Sequence, residues 1–157
     1  MTGVNVLVIF YSRRGETEKL ALAAGVGAIQ ARANIRLRRL PDLADPQTIH
    51  VDASWRDNLE RMNKDYIAPR DVDAQWADVL VLAAPQDCTA EMYQYLDSPK
   101  AALTGKVAAV IGPCTEAAAW AGLTVVPPTE TDVADLVSYG RRVAETARSK
   151  KQTSNAT

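Results

Sequence analysis

The chain has 157 residues, 47% of them hydrophobic and 24% charged, with a formal net charge of −1. That length fits one domain with one core. The charge gives no electrostatic case for nucleic acid or an anionic membrane surface, and it lacks the strong acidity of a small electron carrier that docks on basic partners. No apolar run approaches the roughly 20 residues of a membrane helix, and the opening Met1-Thr2-Gly3-Val4-Asn5 shows no basic leader, so a cytoplasmic protein without membrane insertion is expected.

Val4–Tyr11 is nearly all apolar and rich in β-branched residues, the pattern of a strand covered on both faces. The turn Ser12–Thr17 follows and leads into an Ala-rich helical stretch, Glu16–Ala33, with Leu20, Ala24 and Gly27 along one side. Ile35–Leu40 alternates, so it reads as an edge strand with Arg36, Arg38 and Arg39 on a wet face. Trp55, Leu59, Met62 and Tyr66 recur at helical spacing, with Asp52 or Ser54 as the N-cap. Val79–Ala84 and Val107–Ile111 are further buried strands, separated by Ala90–Leu103, a helix broken near Ser98-Pro99. Leu123–Val126 reads as the fifth strand. Asp132–Arg148 carries Val133, Leu136, Val137, Gly140, Val143 and Ala147 on one face. A single domain over residues 1–148 is expected, with 149–157 a polar, frayed tail.

Strands alternating with helices imply an α/β fold, a parallel sheet with helices on both faces. A phosphate-type turn after the first of five strands fits the doubly wound order 2-1-3-4-5, that of flavodoxin-like proteins. The ligand crevice of that order lies at the strand C-termini. Three loops should line it: Ser12–Thr17, Pro85–Thr89 and Gly112–Glu116.

The first loop carries the chemistry. Ser12 and Thr17 offer hydroxyls, Gly15 permits positive φ, and the helix start presents unpaired N–H groups at a positive dipole end. Arg13 and Arg14 add charge-assisted donors, whereas Glu16 must face outward. The plain alternative is an N-capped helix with Ser12 or Thr17 as cap and no ligand. The loop is neither a Walker A loop nor a G-x-G-x-x-G turn.

Val6–Leu20 (VLVIFYSRRGETEKL) resembles the opening of the flavodoxin-like NAD(P)H:quinone oxidoreductases of the WrbA type. Trp76–Pro85 and Gly105–Val110 are similar to that family's third and fourth strands, and Met92…Leu96-Asp97 to its intervening helix. The resemblance implies FMN bound at the three loops, NAD(P)H as electron donor, a quinone-like acceptor and a homo-oligomer, dimer or tetramer. It assigns Ser12, Arg13, Arg14, Gly15, Glu16 and Thr17 to the FMN phosphate, with Arg14 also meeting the nicotinamide nucleotide. Pro85, Gln86, Asp87 and Cys88 of the second loop and Gly112, Pro113, Cys114 and Thr115 of the third would face the ring. Both of those loops depart from the family. The second lacks its Arg, aromatic and Gly; the third lacks its Gly-rich run and is followed by too few residues for a standard crossover helix. The family's active-site His before strand five has no counterpart, and Trp120 lies nearby instead.

No side chain is nominated as an acid or base. His50, the one histidine, lies in a loop beside no acid–base partner. Cys88 and Cys114 match no zinc pattern, so no metal is expected. A redox pair at the cleft rim is open to them, but partly buried reduced thiols are the expectation. The phosphate end thus reads as intact and the ring end as cut back. Two further readings stand beside the reductase: a binding module with a degenerate flavin site, and, more weakly, a one-electron carrier.

Overall fold

The computed structural model describes residues 3–98 and 100–155. Its core is a five-stranded parallel sheet in the order β2-β1-β3-β4-β5, as the alternation of strands and helices predicts. The strands are β1 (Asn5–Phe10), β2 (Asn34–Arg39), β3 (Val79–Ala83), β4 (Val107–Ile111) and β5 (Thr124–Val125). Between and after them run α1 (Glu16–Gln30), α2 (Pro46–His50), α3 (Ala53–Asp65), α4 (Asp71–Trp76), α5 (Ala90–Asp97), α6 (Lys100–Leu103), α7 (Thr115–Trp120), α8 (Glu130–Ala134) and α9 (Leu136–Asn155).

Side chains alternate across the pleat, so each central strand feeds two cores. Val6, Val8, Phe10, Val79, Val81, Val107 and Ala109 pack on one face with Ala21, Ala24 and Ala28 of α1, Tyr139, Val143 and Ala147 of α9, and Met62 of α3. Leu7, Ile9, Leu80, Leu82, Ala108 and Val110 pack on the other with Ala74 of α4, Met92 and Leu96 of α5, and Ala118 of α7. Helices α1 and α9 touch backbone to backbone. A Cβ on Gly27 would lie 1.9 Å from the Val137 carbonyl oxygen, and one on Gly140 would lie 1.9 Å from that of Ala24.

Several expectations need correction. Leu20 is 43% exposed and Val133 71% exposed, so neither belongs to its helix's buried face. The C-terminal helix is two helices. Asp135 (φ −142°) breaks it after α8, which a Thr129–Asp132 capping box starts. The polar segment from Ser149 is not a frayed tail: α9 continues to Asn155, and Ala156 and Thr157 lie outside the described residues. Lys151 Nζ donates to the Gly3 carbonyl at 2.8 Å and to Asp78 at 3.1 Å, and Lys150 Nζ donates to the Gly105 carbonyl at 2.5 Å. The crossover before β5 does hold a short helix, α7. Helix α5 ends at Asp97 with Ser98 as its C-cap and α6 starts at Lys100; the expected break near Ser98-Pro99 includes Pro99, which lies outside the described residues.

On β2 the wet face is smaller than expected. Arg36 and Arg38 pair with the buried Asp73 carboxylate at 3.0 and 2.8 Å, and Arg36 lies over the Trp76 ring. The segment after α3 adds a one-residue bridge, Ile67 to Arg38, with the Arg39 amide donating to the Ile67 carbonyl. Arg39 itself is buried, 4% exposed.

Candidate functional site

The loops after β1, β3 and β4 leave adjacent strands at the same edge of the sheet, because β1 pairs with β3 and β3 with β4 in parallel register. The structure therefore brings together all three expected loops.

In the first loop Ser12 is buried, and its Oγ accepts the Gly15 N–H at 3.0 Å. Gly15, not Ser12 or Thr17, is the N-cap of α1, in the left-handed region with φ 96° and no side-chain cap. A side chain there is strained, and a Cβ would sit 3.2 Å from the Arg61 guanidinium. The first-turn amides of Glu16, Thr17 and Glu18 have no intrahelical acceptor, as at any helix start. Thr17 is buried in that turn, Glu16 points to solvent, and the arginines Arg13 and Arg14 are exposed.

Both arginines are already engaged. Arg13 Nε donates to the Tyr11 hydroxyl at 3.1 Å, and its guanidinium lies 4.7 Å from the centre of the Trp55 ring. The Tyr11 bond holds Arg13 protonated more firmly than usual, with smaller help from Glu91 and Asp87 across the crevice. Arg14 pairs with Asp52, the N-cap of α3.

Beneath the loop lies a support that the sequence does not announce. The Asp42 carboxylate accepts from Tyr11 Oη at 2.7 Å, Trp55 Nε1 at 3.1 Å and the Arg39 guanidinium at 3.0 Å. Arg39 also donates to the Ser12 carbonyl at 2.7 Å, which fixes the loop backbone from below. Burial and the Asp42 hydrogen bond push the Tyr11 hydroxyl well above the ordinary tyrosine range, so it stays protonated as a donor.

A second support neutralises a charge. Glu18, in the first turn of α1, is 5% exposed. It accepts two hydrogen bonds from Arg61, at 3.0 and 2.6 Å, and one from Tyr66 Oη at 2.5 Å. The Arg61 bonds hold its carboxyl below the usual carboxylate range, against the opposing effect of burial. Thus a negative group at the loop is offset by a cation from α3. Arg61 and Asn58 stand beside Gly15 as further polar neighbours of the cradle. Their only sequence signal is position: residues 58 and 61 share the polar side of the stripe that buries Trp55 and Met62.

The ring end is different. In the second loop Pro85 is half-buried, Gln86 and Asp87 are exposed, and Cys88 is partly exposed. In the third, Gly112 and Pro113 are exposed, Cys114 is buried and Thr115 is exposed. The two loops touch, since a Cβ on Gly112 (φ 103°) would lie 2.5 Å from the Ala84 carbonyl oxygen. They are also joined covalently. Cys88 and Cys114 form a disulfide with Cα atoms 5.1 Å apart, which corrects the expectation of reduced, unremarkable thiols. Trp120 is 89% exposed. His50 is an exposed residue at the end of α2, and no cluster of metal-ligating side chains occurs among the described residues.

Fold and loop arrangement together define a flavodoxin-like α/β protein. Solved structures agree: the chain resembles a flavodoxin from the domain Archaea at TM-score 0.65 and 16% identity, covering 92% of this chain and 99% of that one. It also resembles a diflavin flavoprotein A3 from Nostoc sp. at TM-score 0.62 and 14% identity, covering 98% and 99%. No family model matches the chain. Two curated proteins do, both named NAD(P)H dehydrogenase (quinone), in keeping with the resemblance read from Val6–Leu20. The one from Deinococcus radiodurans is 28% identical over 98 residues, 60% of this chain and 48% of the relative. The one from Brucella anthropi is 44% identical over 43 residues, 27% of this chain and 22% of the relative. The chain thus matches less than half the length of either. No helix among the described residues is long and apolar enough to cross a membrane.

Proposed function

We propose that this chain is a flavin-binding oxidoreductase that holds FMN by its phosphate at Ser12–Thr17 and passes electrons from NAD(P)H to a quinone-like acceptor in the cytoplasm. The observation that carries the reading is the first loop. A left-handed Gly15 opens α1 with free amides, Ser12 braces the turn from inside, and the buried Glu18 carboxylate is neutralised by Arg61. These features fit a dianionic phosphate. FMN, when bound, would supply the redox chemistry. The chain's own work is positioning. The amides of the α1 first turn and the Thr17 hydroxyl hold the phosphate. Arg39 and Asp42 keep the Ser12 backbone in place. Backbone groups of Gln86, Asp87, Gly112 and Pro113 line the ring end, and Arg14 lies at the mouth for the nicotinamide nucleotide. Curated relatives named NAD(P)H dehydrogenase (quinone) support the donor and acceptor classes. A homo-oligomer, dimer or tetramer, goes with the same reading.

The test is an absorption spectrum of the purified protein followed by titration with FMN. A yellow protein, or quenching of FMN fluorescence at micromolar protein that Gly15→Val abolishes, is the expected result. A colourless protein that leaves FMN at tens of micromolar unquenched refutes the reading. One observation favours a second reading, an anion-binding module without redox activity: the disulfide ties loops two and three together where a ring would contact them. That reading fails if NADH-dependent quinone reduction is found and Gly15→Val removes it.

A further inference from the structure

We propose that the Cys88–Cys114 disulfide is a thiol-exchange site that accepts two electrons from a dithiol, and that opening it releases the β3–α5 and β4–α7 loops from each other. The inference does not depend on flavin binding.

The two sulfurs have unequal access. Cys88 is partly exposed and follows the exposed residues Gln86 and Asp87, whereas Cys114, the N-cap of α7, is 1% exposed. An incoming thiolate therefore reaches the Cys88 sulfur. The fold does not rely on the bond. Parallel pairing of β3 and β4 runs through Ala83 and Ile111, and the Ala84 amide still donates to the Ile111 carbonyl at 3.0 Å. Thr89 starts α5 by accepting the Met92 amide. Reduction thus frees the residues between Ala84 and Thr89 on one side and after Gly112 on the other, and leaves the sheet intact. In a reducing compartment such a bond is redox-active rather than permanent.

A thiolate of the reductant attacks Cys88 Sγ; a mixed disulfide forms, the Cys88–Cys114 bond breaks, and Cys114 leaves as a thiolate that takes up a proton. The second thiolate of the reductant attacks its own sulfur in the mixed disulfide. Cys88 leaves and is protonated, and the reductant departs as a disulfide, oxidised by two electrons. The geometry favours a dithiol. With its Cα 5.1 Å away, Cys114 stays beside the mixed disulfide and expels a monothiol by re-forming the original bond. A second thiol carried on the reductant competes at similar effective concentration.

The experiment uses the whole chain in native buffer. Protein prepared without reductant is treated with N-ethylmaleimide and weighed; no adduct is expected. Dithiothreitol or 2-mercaptoethanol at equal thiol concentration is then added and the thiols are trapped over time. Dithiothreitol should yield a doubly modified protein at a rate that urea below the unfolding transition does not change, with far-UV circular dichroism unaltered. 2-Mercaptoethanol should be at least about tenfold slower. With Ellman's reagent, Cys114→Ser should react at least about tenfold faster than Cys88→Ser, since Cys88 is the more exposed of the two thiols. The proposal is overturned if oxidised protein still shows free thiols, or if reduction accelerates with urea in step with unfolding. Equal rates for the two reductants, or for the two variants, would also overturn it.

Discussion

Gly140→Ala sets two effects of opposite sign against each other. Alanine in a helix interior is better than glycine by about 1 kcal/mol, so propensity alone predicts a more stable protein. The structure predicts the reverse. The new Cβ would stand 1.9 Å from the Ala24 oxygen, 2.7 Å from its carbonyl carbon and 2.9 Å from its Cα, all backbone of α1. No side chain can swing aside, so α1 and α9 must part by about 1 Å, which forfeits a quarter to a half of each dispersion contact along the seam. That seam includes Ala21, Ala24, Ala28, Tyr139, Val143 and Ala144, all buried. Overpacking of this kind costs about 3 kcal/mol, the upper end of its usual range. The net loss is about 2 kcal/mol, and Tm should fall by about 4–8 °C for a chain of this size. Gly25→Ala is the control. It lies in the same helix pair, but its Cβ would meet Ile35 and Leu37 side chains at 3.8 Å, ordinary contact, so Tm should hold or rise. Calorimetry of both variants decides the matter: a Gly140→Ala protein as stable as wild type refutes the close approach of α1 and α9.

Three other outcomes are expected. Asp42→Ala strands the buried Arg39 guanidinium, the Tyr11 hydroxyl and the Trp55 indole N–H, and should cost about 3 kcal/mol by urea unfolding, with Asp42→Asn milder. Glu18 has a folded-state pKa below its unfolded value near 4.3, so its contribution is present above that pH and is lost as pH falls. Because Arg61 is half-exposed the loss is about 1 kcal/mol, and the wild-type advantage over Glu18→Gln should shrink below about pH 4. Replacing both cysteines by serine removes a cross-link spanning 26 residues. The chain-entropy cost is about 3.5 kcal/mol at most, seen as a lower urea midpoint, and wild type measured in dithiothreitol should match the variant.

Most of the sheet was legible because four strands are continuous apolar runs and their order follows from the crossover rule. The phosphate loop was legible because glycine at Gly15 marks the one position there that needs positive φ. What supports the loop was not. Arg39 ends an alternating strand and reads as solvent-facing, yet pairing of Phe10 with Arg39 sets it beside the end of β1 and under Ser12. Asp42, Glu18 and Arg61 belong to no motif. Each acquires its role only through partners 27 or more residues away, or through a hub that joins three segments. The disulfide was open to the sequence but ranked below reduced thiols: its spacing matches no motif, and only the adjacency of β3 and β4 brings the cysteines together. The C-terminal segment misled through composition, since its lysines place their charges on backbone carbonyls.

Those lysines have a consequence for how the chain is made. Arg148 donates to the Ala31 carbonyl just before β2, Lys151 to Gly3 before β1 and to Asp78 before β3, and Lys150 to Gly105 before β4. The last turns of α9 thus fasten the starts of four strands, at the edge of the sheet opposite the three loops. Every strand precedes these residues in the chain, so on a ribosome each can be out while the floor of the sheet is still unfastened. That floor waits on residues 148–151, and a fusion or cleavage point placed near residue 148 would sever the fastening rather than trim a tail.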